Sequence, residues 1–235
     1  MSCLLRWAKS KKGGDVQVID RSLQKCPLFR GLTQDELEMA FSFFEARKVA
    51  FKKGSILSVL RSSSPAFALV LRGTVHVCHD EADGNRIIMA TVTGGQTFGE
   101  SLCYLRMEPT VYPIAETDIE MLLFSADKLQ NFPKTPLEFE LQSRFTAMIA
   151  RKALEMNGRI QILSKHKMRD KICATFTLFG GKPDAKPFRL PFDRSGMAFY
   201  LGVDRSALSR ELSLLKAEGV ISYRKNEFVW YKVCS

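Results

Sequence analysis

The spacing of hydrophobic and polar positions changes several times along this chain. Residues 16–48 carry apolar side chains at helical spacing, and between Val49 and Phe124 short apolar runs alternate with polar turns, as in β-strands. The last of these strands is expected from Ile114 to Phe124. A long helical pattern without internal proline follows from Leu137 to Leu163, and shorter helices and strands come after it. This order predicts an α+β protein with a β-rich domain, a long helix and a second small domain.

The same patterns predict the domain boundaries. We expect a basic tail at residues 1–15, a β domain at 16–136, a long helix at 137–165 and a C-terminal domain at 166–235. The many short strands of the β domain favour a closed or folded-over β structure. The tail is too short and too interrupted by charge to be a secretory signal.

The stretch from Asp193 to Lys216 predicts two helices joined by a tight turn. Asp193 and Asp204 are placed to cap the two helices, and Gly202 lies at the bend, where a positive φ is needed. A stripe with the spacing i, i+4, i+7 is expected to be buried: Leu208, Leu212 and Leu215.

A helix pair with a short glycine-containing turn is typical of a helix-turn-helix, whose second helix enters the major groove of DNA. The outward face of this second helix carries Arg205, Ser206, Ser209 and Arg210. Arginine matches the two acceptors of guanine, so this face is a candidate for base contacts. An ordinary helical hairpin with solvated arginines is the alternative.

A β-hairpin, or wing, is predicted after Gly219, where two β-rich runs flank a polar turn. Arg224 and Lys225 lie near its tip and are expected to contact phosphate, which positions a protein on DNA without reading sequence.

The long helix is expected to pair with a copy of itself, although a helix of this length also suits a linker between domains. Paired copies would place two reading helices at half-sites ~34 Å apart, which predicts a homodimer. The apolar stripe expected to form the dimer comprises Leu141, Phe145, Met148, Ile149, Lys152 and Met156.

Composition narrows the class of partner. The formal net charge of +10, from 35 Lys and Arg against 25 Asp and Glu, favours polyanions but does not separate nucleic acid from an anionic membrane. No apolar run approaches the ~18 residues of a membrane span. The six cysteines form no C-x-x-C pair, so we expect reduced thiols and a cytoplasmic protein.

Four motifs together resemble the cyclic-AMP receptor protein/FNR (Crp/Fnr) family of bacterial transcription regulators, over roughly residues 20–233. They are Cys26–Leu32, Val70–Val75, Gly95–Glu100 and Leu201–Arg210. The resemblance implies an N-terminal β-roll (a double-stranded β-helix like a cyclic-nucleotide-binding domain), a dimerisation helix and a C-terminal winged helix-turn-helix.

The resemblance also implies partners and a signal. These are a second copy of the chain, a double-stranded DNA operator and a small-molecule effector in the β-roll, with RNA polymerase as a further candidate partner and no membrane. Effector binding would shift an equilibrium between two states and so re-orient the reading helices. The residues expected near the effector are Phe98, Gly99, Glu100, Ser101, Leu102, Cys103, Thr110, Met156 and Asn157.

Two departures from the family pattern alter the expected ligands. Cyclic-nucleotide-binding members place an Arg-Ser or Arg-Thr pair after the Gly-Glu pair to hold the cyclic phosphate, whereas this chain has Pro109-Thr110. Met156 also lacks the hydrogen-bonding capacity of the family's adenine contact, so cyclic AMP is not the expected effector. Many relatives carry Glu where this chain has Ser206, so the operator is expected to differ in its core bases.

No metal, haem or iron–sulfur cluster is expected. Cys3 and Cys26 are too far apart for the family's cluster motif, and His76 and Cys78, although expected on one strand face, are too few ligands for a metal. Redox sensing by Cys26 or Cys103 would need an exposed thiol with a lowered pKa; buried, inert cysteines are the simpler expectation.

Three classes of function compete. An effector-responsive DNA-binding regulator leads. The alternative is a ligand-binding regulatory module that acts through protein partners without sequence-specific DNA binding, which the outward Arg205 and Arg210 disfavour. A cupin-like enzyme would need a His/Glu metal cluster that three histidines do not provide, so we expect no enzymatic activity.

Overall fold

The computed structural model describes residues 21–57, 66–82, 84 and 86–233. The chain forms two compact units, residues 1–149 and 150–235, and the division falls inside the long helix. The predicted basic tail lies outside the described residues.

The elements follow in chain order, after a helical segment at residues 21–25. The helices are α1 (Gln34–Phe43), α2 (Glu100–Leu105), α3 (Pro136–Leu163), α4 (Met168–Gly180), α5 (Arg194–Leu201) and α6 (Arg205–Ala217), with a 3-10 helix at Asp127–Gln130. The strands are β1 (Arg47–Phe51), β2 (Ala66–Arg72), β3 (Thr74–Asp80), β4 (Arg86–Thr93), β5 (Thr97–Phe98), β6 (Tyr112–Ala115), β7 (Ile119–Ser125), β8 (Pro187–Arg189), β9 (Ile221–Arg224) and β10 (Glu227–Trp230).

Two antiparallel sheets build the first unit, in the orders β1-β7-β2-β5 and β4-β3-β6. Side chains from both sheets, such as Val70 and Met121 from one and Val75 and Val92 from the other, meet in one buried cluster. Strands β2 and β7 are buried over nearly their whole length, because their other faces pack into a second apolar cluster. The predicted β-roll is confirmed.

A second apolar cluster joins the first unit's helices to its four-stranded sheet. Phe124 of β7 lies with its ring centroid 5.1 Å from that of Phe29 and 5.2 Å from that of Phe67. Phe145 of α3 reaches the same cluster, 5.5 Å from Phe67. The first half of the long helix is thereby a structural part of the β domain.

Two details of the sequence prediction are wrong. The helical pattern assigned to residues 16–48 ends at Phe43, because Glu45 takes a left-handed conformation (φ 51°) and strand β1 begins at Arg47. The single strand expected from Ile114 to Phe124 is two strands, β6 and β7, because each pairs in a different sheet.

The second unit combines α4, α5 and α6 with the three-stranded sheet β8-β10-β9. Its core includes Phe176 of α4, Trp230 of β10 and the three leucines predicted to be buried: Leu208, Leu212 and Leu215. The winged helix-turn-helix predicted from the sequence is therefore the observed architecture of this unit.

Candidate DNA-binding and effector sites

The helix-turn-helix is defined by its caps. The carboxylate of Asp193 accepts a hydrogen bond from the backbone N–H of Gly196 at 2.8 Å, and that of Asp204 accepts from Ala207 at 2.8 Å. Gly202 ends α5 with φ 60°, the left-handed conformation that glycine adopts at little cost. These contacts fix where α6 begins and hence which of its residues face outward.

The outward face of α6 carries the predicted reading residues. Arg205, Ser206 and Arg210 are exposed, and Ser209 is half-buried. The hydroxyl of Ser209 donates to the carbonyl oxygen of Arg205 at 2.9 Å, so its proton is already used within the helix. The arginines are therefore the stronger candidates for donating to base edges.

One charged group that the sequence analysis missed lies against the same helix. Arg169 of α4 donates from Nε to Glu211 at 2.8 Å and from its two terminal nitrogens to Glu218 at 2.8 and 2.7 Å. These bonds lower the pKa of Glu218 and raise that of Arg169. The positive charge of Arg169 offsets the negative charge of the two carboxylates, which would otherwise repel the phosphate backbone of an approaching DNA.

The wing is attached to the helix-turn-helix through Tyr223 of β9. The guanidinium carbon of Arg194 lies 4.9 Å from the centre of the Tyr223 ring, and the ammonium of Lys216 lies 5.3 Å from it. Burial lowers the pKa of Arg194 from its ordinary value. Because Arg194 begins α5 and Lys216 lies near the end of α6, the wing contacts both helices.

The predicted effector residues of the first unit surround the junction of β5 and α2. Gly99 has φ 84° and precedes α2, while Phe98, Glu100 and Cys103 are buried. Ser101 is exposed and Leu102 half-buried. Burial raises the pKa of the Cys103 thiol to about 11, which disfavours the thiolate that redox sensing would need.

The loop that replaces the family's phosphate-binding pair is held by a histidine. A ring nitrogen of His79, Nδ1, lies 3.0 Å from the carbonyl oxygen of Thr110, and Thr110 is exposed. Neither Pro109 nor Thr110 carries a cation, so this loop offers a phosphate no charged partner of its own.

The remaining predicted effector residues, Met156 and Asn157, lie on the part of α3 that belongs to the second unit. Both are exposed, Met156 to 65%. The predicted effector residues are therefore divided between the two units.

The predicted dimer stripe is wrong for three of its residues. Leu141, Phe145 and Met148 are only 0%, 2% and 3% exposed, because they pack into the first unit's own core. Ile149 packs at the edge of that core and Lys152 is half-buried. Met156 alone of the predicted stripe is exposed.

The cysteines and histidines also differ in part from expectation. A β-bulge between Val77 and Cys78 shifts the alternation of β3, so that Cys78 is buried with Val75 and not on a common face with His76. Within the described ranges, no three His, Cys, Asp or Glu side chains are placed to hold a metal ion. Cys173 is disulfide-bonded, so the expectation of reduced thiols is wrong for this residue.

Comparison with known proteins identifies relatives of this chain. Residues 48–135 match the cyclic nucleotide-binding domain family. The cyclic AMP receptor protein of Thermus thermophilus is 26% identical over 196 residues, which cover 83% of this chain and 88% of that protein. This similarity extends through both compact units.

The chain is thus similar over most of its length to a cyclic AMP receptor protein, and it carries a match to the cyclic nucleotide-binding domain family.

Solved structures show the same fold. A CooA mutant from Carboxydothermus hydrogenoformans has a TM-score of 0.59 at 17% identity, covering 83% of this chain and 87% of that one. The c-di-GMP responsive regulator CLP of Xanthomonas campestris gives 0.56 at 18%, covering 85% and 100%, and FixK2 of Bradyrhizobium japonicum gives 0.53 at 18%, covering 80% and 93%.

The Pro109-Thr110 loop lies inside the stretch that matches the cyclic nucleotide-binding domain family. In the described part of the chain, no helix is long and apolar enough to cross a membrane.

Proposed function

We propose that this chain is an effector-responsive, dimeric regulator that binds double-stranded DNA at a palindromic operator. The observation that supports this most strongly is the capped helix-turn-helix with an exposed, arginine-bearing face. Arg205 and Arg210 project from a helix whose opposite face is fully buried in its own domain. A rigid helix that presents arginine forks is suited to the guanine edges of the major groove.

The dimer is proposed to form along a different stripe of α3 from the one first expected. This stripe has steps of four, three and four residues, which is the a/d spacing of a coiled coil. It comprises Ile149, Ala153, Met156 and Ile160. Ala153, Met156 and Ile160 are exposed in the single chain. Pairing of two copies would bury these side chains without disturbing the core that Leu141 and Phe145 occupy.

The effector is proposed to act in the β-roll near the β5–α2 junction and to be a small molecule other than cyclic AMP. The buried carboxylate of Glu100 and the uncharged Pro109-Thr110 loop support a ligand that does not present a phosphate at this position. A ligand with different affinities for two states of the dimer would shift their populations by that difference in free energy.

Selection of bound sequences from a random DNA library, at a stated salt concentration, tests the central proposal. We expect a palindrome with half-sites about one helical turn apart. On that operator, Arg205→Ala or Arg210→Ala should weaken binding by roughly 1–3 kcal/mol. Lys182→Ala, an exposed cation of the same unit outside the helix-turn-helix, is the matched control.

Only sequence-independent, salt-sensitive binding, both with and without candidate effectors, would contradict operator recognition. It would favour the alternative, a regulatory module that acts through protein partners. Normal operator binding by both arginine variants would show that α6 is not the reading helix.

The dimer stripe has its own test in two exposed alanines of α3. Ala153→Glu places a charge in the proposed stripe, whereas Ala147→Glu places the same charge on a different exposed face. Sedimentation should show a monomer for the first variant and a dimer for the second. A dimer in both cases would exclude this stripe as the interface.

A further inference from the structure

The tip of the wing gathers cationic side chains from two strands around a shallow depression of about 250 Å³. Its lining residues are Arg189, Arg224, Lys225, Asn226 and Glu227. The sequence pattern singled out Arg224 and Lys225, whereas Arg189 lies before the helix-turn-helix, on β8. Three cations thus surround one carboxylate in a small, exposed site.

Strand register explains why these residues meet. Glu227 of β10 pairs with Arg189 of β8 on one side and with Arg224 of β9 on the other. Directly paired residues share a sheet face, so the two arginines flank Glu227 in one row. Neighbouring strands lie ~4.8 Å apart, which separates the two arginine backbones by roughly 10 Å. Side chains of this length can reach one anion from both sides.

Asn226 fixes the geometry of the row. Its Nδ2 donates to the carbonyl oxygen of Leu190 at 3.0 Å, and its own carbonyl oxygen accepts from the N–H of Leu190 at 2.9 Å. Its side-chain Oδ1 accepts from Nε of Arg189 at 3.2 Å. This bond to Nε fixes the orientation of the guanidinium plane of Arg189. The two terminal nitrogens then form the fork that can donate to a pair of anionic oxygens.

We propose that Arg189 completes a seat for a backbone phosphate of DNA, together with the two wing-tip cations Arg224 and Lys225 that the sequence already marks for phosphate contact, and that Asn226 positions Arg189. The inference rests on the proposed DNA binding and extends the binding surface to a strand outside both the helix-turn-helix and the hairpin turn. Phosphate contacts of this kind strengthen binding equally on all sequences and fix the register of the base-reading helix. The contact of Lys216 with Tyr223 joins this seat to α6.

The salt dependence of DNA binding by the full-length protein tests the seat. Arg189→Gln should lower the slope of log K against log salt by about 0.9, on the selected operator and on a random-sequence duplex alike. Between 50 and 200 mM salt, such a variant should lose about threefold less affinity than the wild type. Arg224→Gln should behave in the same way.

Lys186→Gln is the matched control, because Lys186 immediately precedes β8 and already pairs with Asp184 at 3.4 Å. It removes the same charge from the same segment, and its slope should equal that of the wild type. An unchanged slope for Arg189→Gln, or an equal change in Lys186→Gln, would overturn the seat. Absence of duplex binding by the wild type would instead refute the proposed function.

A double-mutant cycle tests the role of Asn226. Asn226→Ala keeps all three cations, so reduced affinity would come from lost positioning of Arg189. The double variant with Arg189→Gln should then bind no more weakly than Arg189→Gln alone. Fully additive losses would overturn the positioning role, and thermal unfolding of each variant shows whether the wing itself remains folded.

Discussion

The two compact units present their candidate chemistry in opposite ways. In the second unit, the cations proposed to meet DNA lie on exposed surfaces, and buried leucines hold the helix beneath them. In the first unit, three of the residues nearest the proposed effector site are buried, namely Phe98, Cys103 and Glu100, the last only 5% exposed. Recognition of a long polymer needs an outward surface, whereas recognition of a small molecule needs an enclosed one.

This difference determines what can be inferred from each region. An exposed reading surface is specified by residues close together in sequence, so its partner class can be deduced from their chemistry. An enclosed site is shaped by side chains that come together only in the fold, and its ligand depends on small details of that packing. For DNA binding, we can therefore name the surface that makes the contact. For the effector, we can name only its chemical class.

The largest effect is expected from removing one aromatic ring of the first unit's core. Phe124 is fully buried among other phenylalanines, so Phe124→Ala should cost about 3–5 kcal/mol. Leu212→Ala, in the second unit, should cost about 2–5 kcal/mol. Calorimetry should show each variant lowering a different transition. One common transition that both variants lower would show that the units unfold together.

A smaller effect is expected at the start of the reading helix. Asp204→Ala removes the cap of α6 and should destabilise the second unit by about 1 kcal/mol. The neighbouring Ser206→Ala leaves the cap intact and should leave stability nearly unchanged. Chemical denaturation, followed by a signal from this unit, measures both variants. If both variants lost the same free energy of unfolding, the Asp204 cap would make no specific contribution to stability.

Acid should weaken the ion pair between Arg169 and Glu218. The pKa of Glu218 is lowered in the folded protein, so its contribution to stability is present above the unfolded-state pKa of ~4.3 and is lost as the pH falls below it. The melting temperature of Glu218→Gln should therefore lie below that of the wild type at pH 7 and converge with it in acid. Glu155→Gln, at an exposed glutamate of the same unit, controls for the change in charge.

The smallest expected effect is an absence of reaction. The buried Cys103 thiol, with its pKa raised to about 11, should resist iodoacetamide in the native protein at pH 7.5 and react after denaturation. Mass spectrometry of the labelled peptides gives the result. Rapid native labelling would show that the first unit opens around this residue, which would weaken the contrast between the units.

Sequence was most informative where the determining contacts are local. The capping aspartates act over three residues and the buried leucines over one helix face, so the helix-turn-helix and the wing could be predicted almost residue by residue. The capping box of Thr33 and Glu36 is local in the same way, since its two residues lie three positions apart.

Sequence was least informative where distant segments decide the outcome. The long helix carries two apolar faces, and only the fold shows that Leu141 and Phe145 serve the core while Met156 and Ile160 remain exposed. The bulge that separates His76 from Cys78 depends on pairing with another strand. Arg169 could not be linked to Glu218, because 49 positions separate them.

The position of Arg169 has a consequence for engineering hybrid regulators. The two carboxylates that it neutralises lie on and just beyond α6, while the arginine itself is on α4. A helix α6 grafted by itself into another scaffold would bring Glu211 along without its counter-charge. The unit of exchange for altering target preference is therefore the whole three-helix module from Met168 onward.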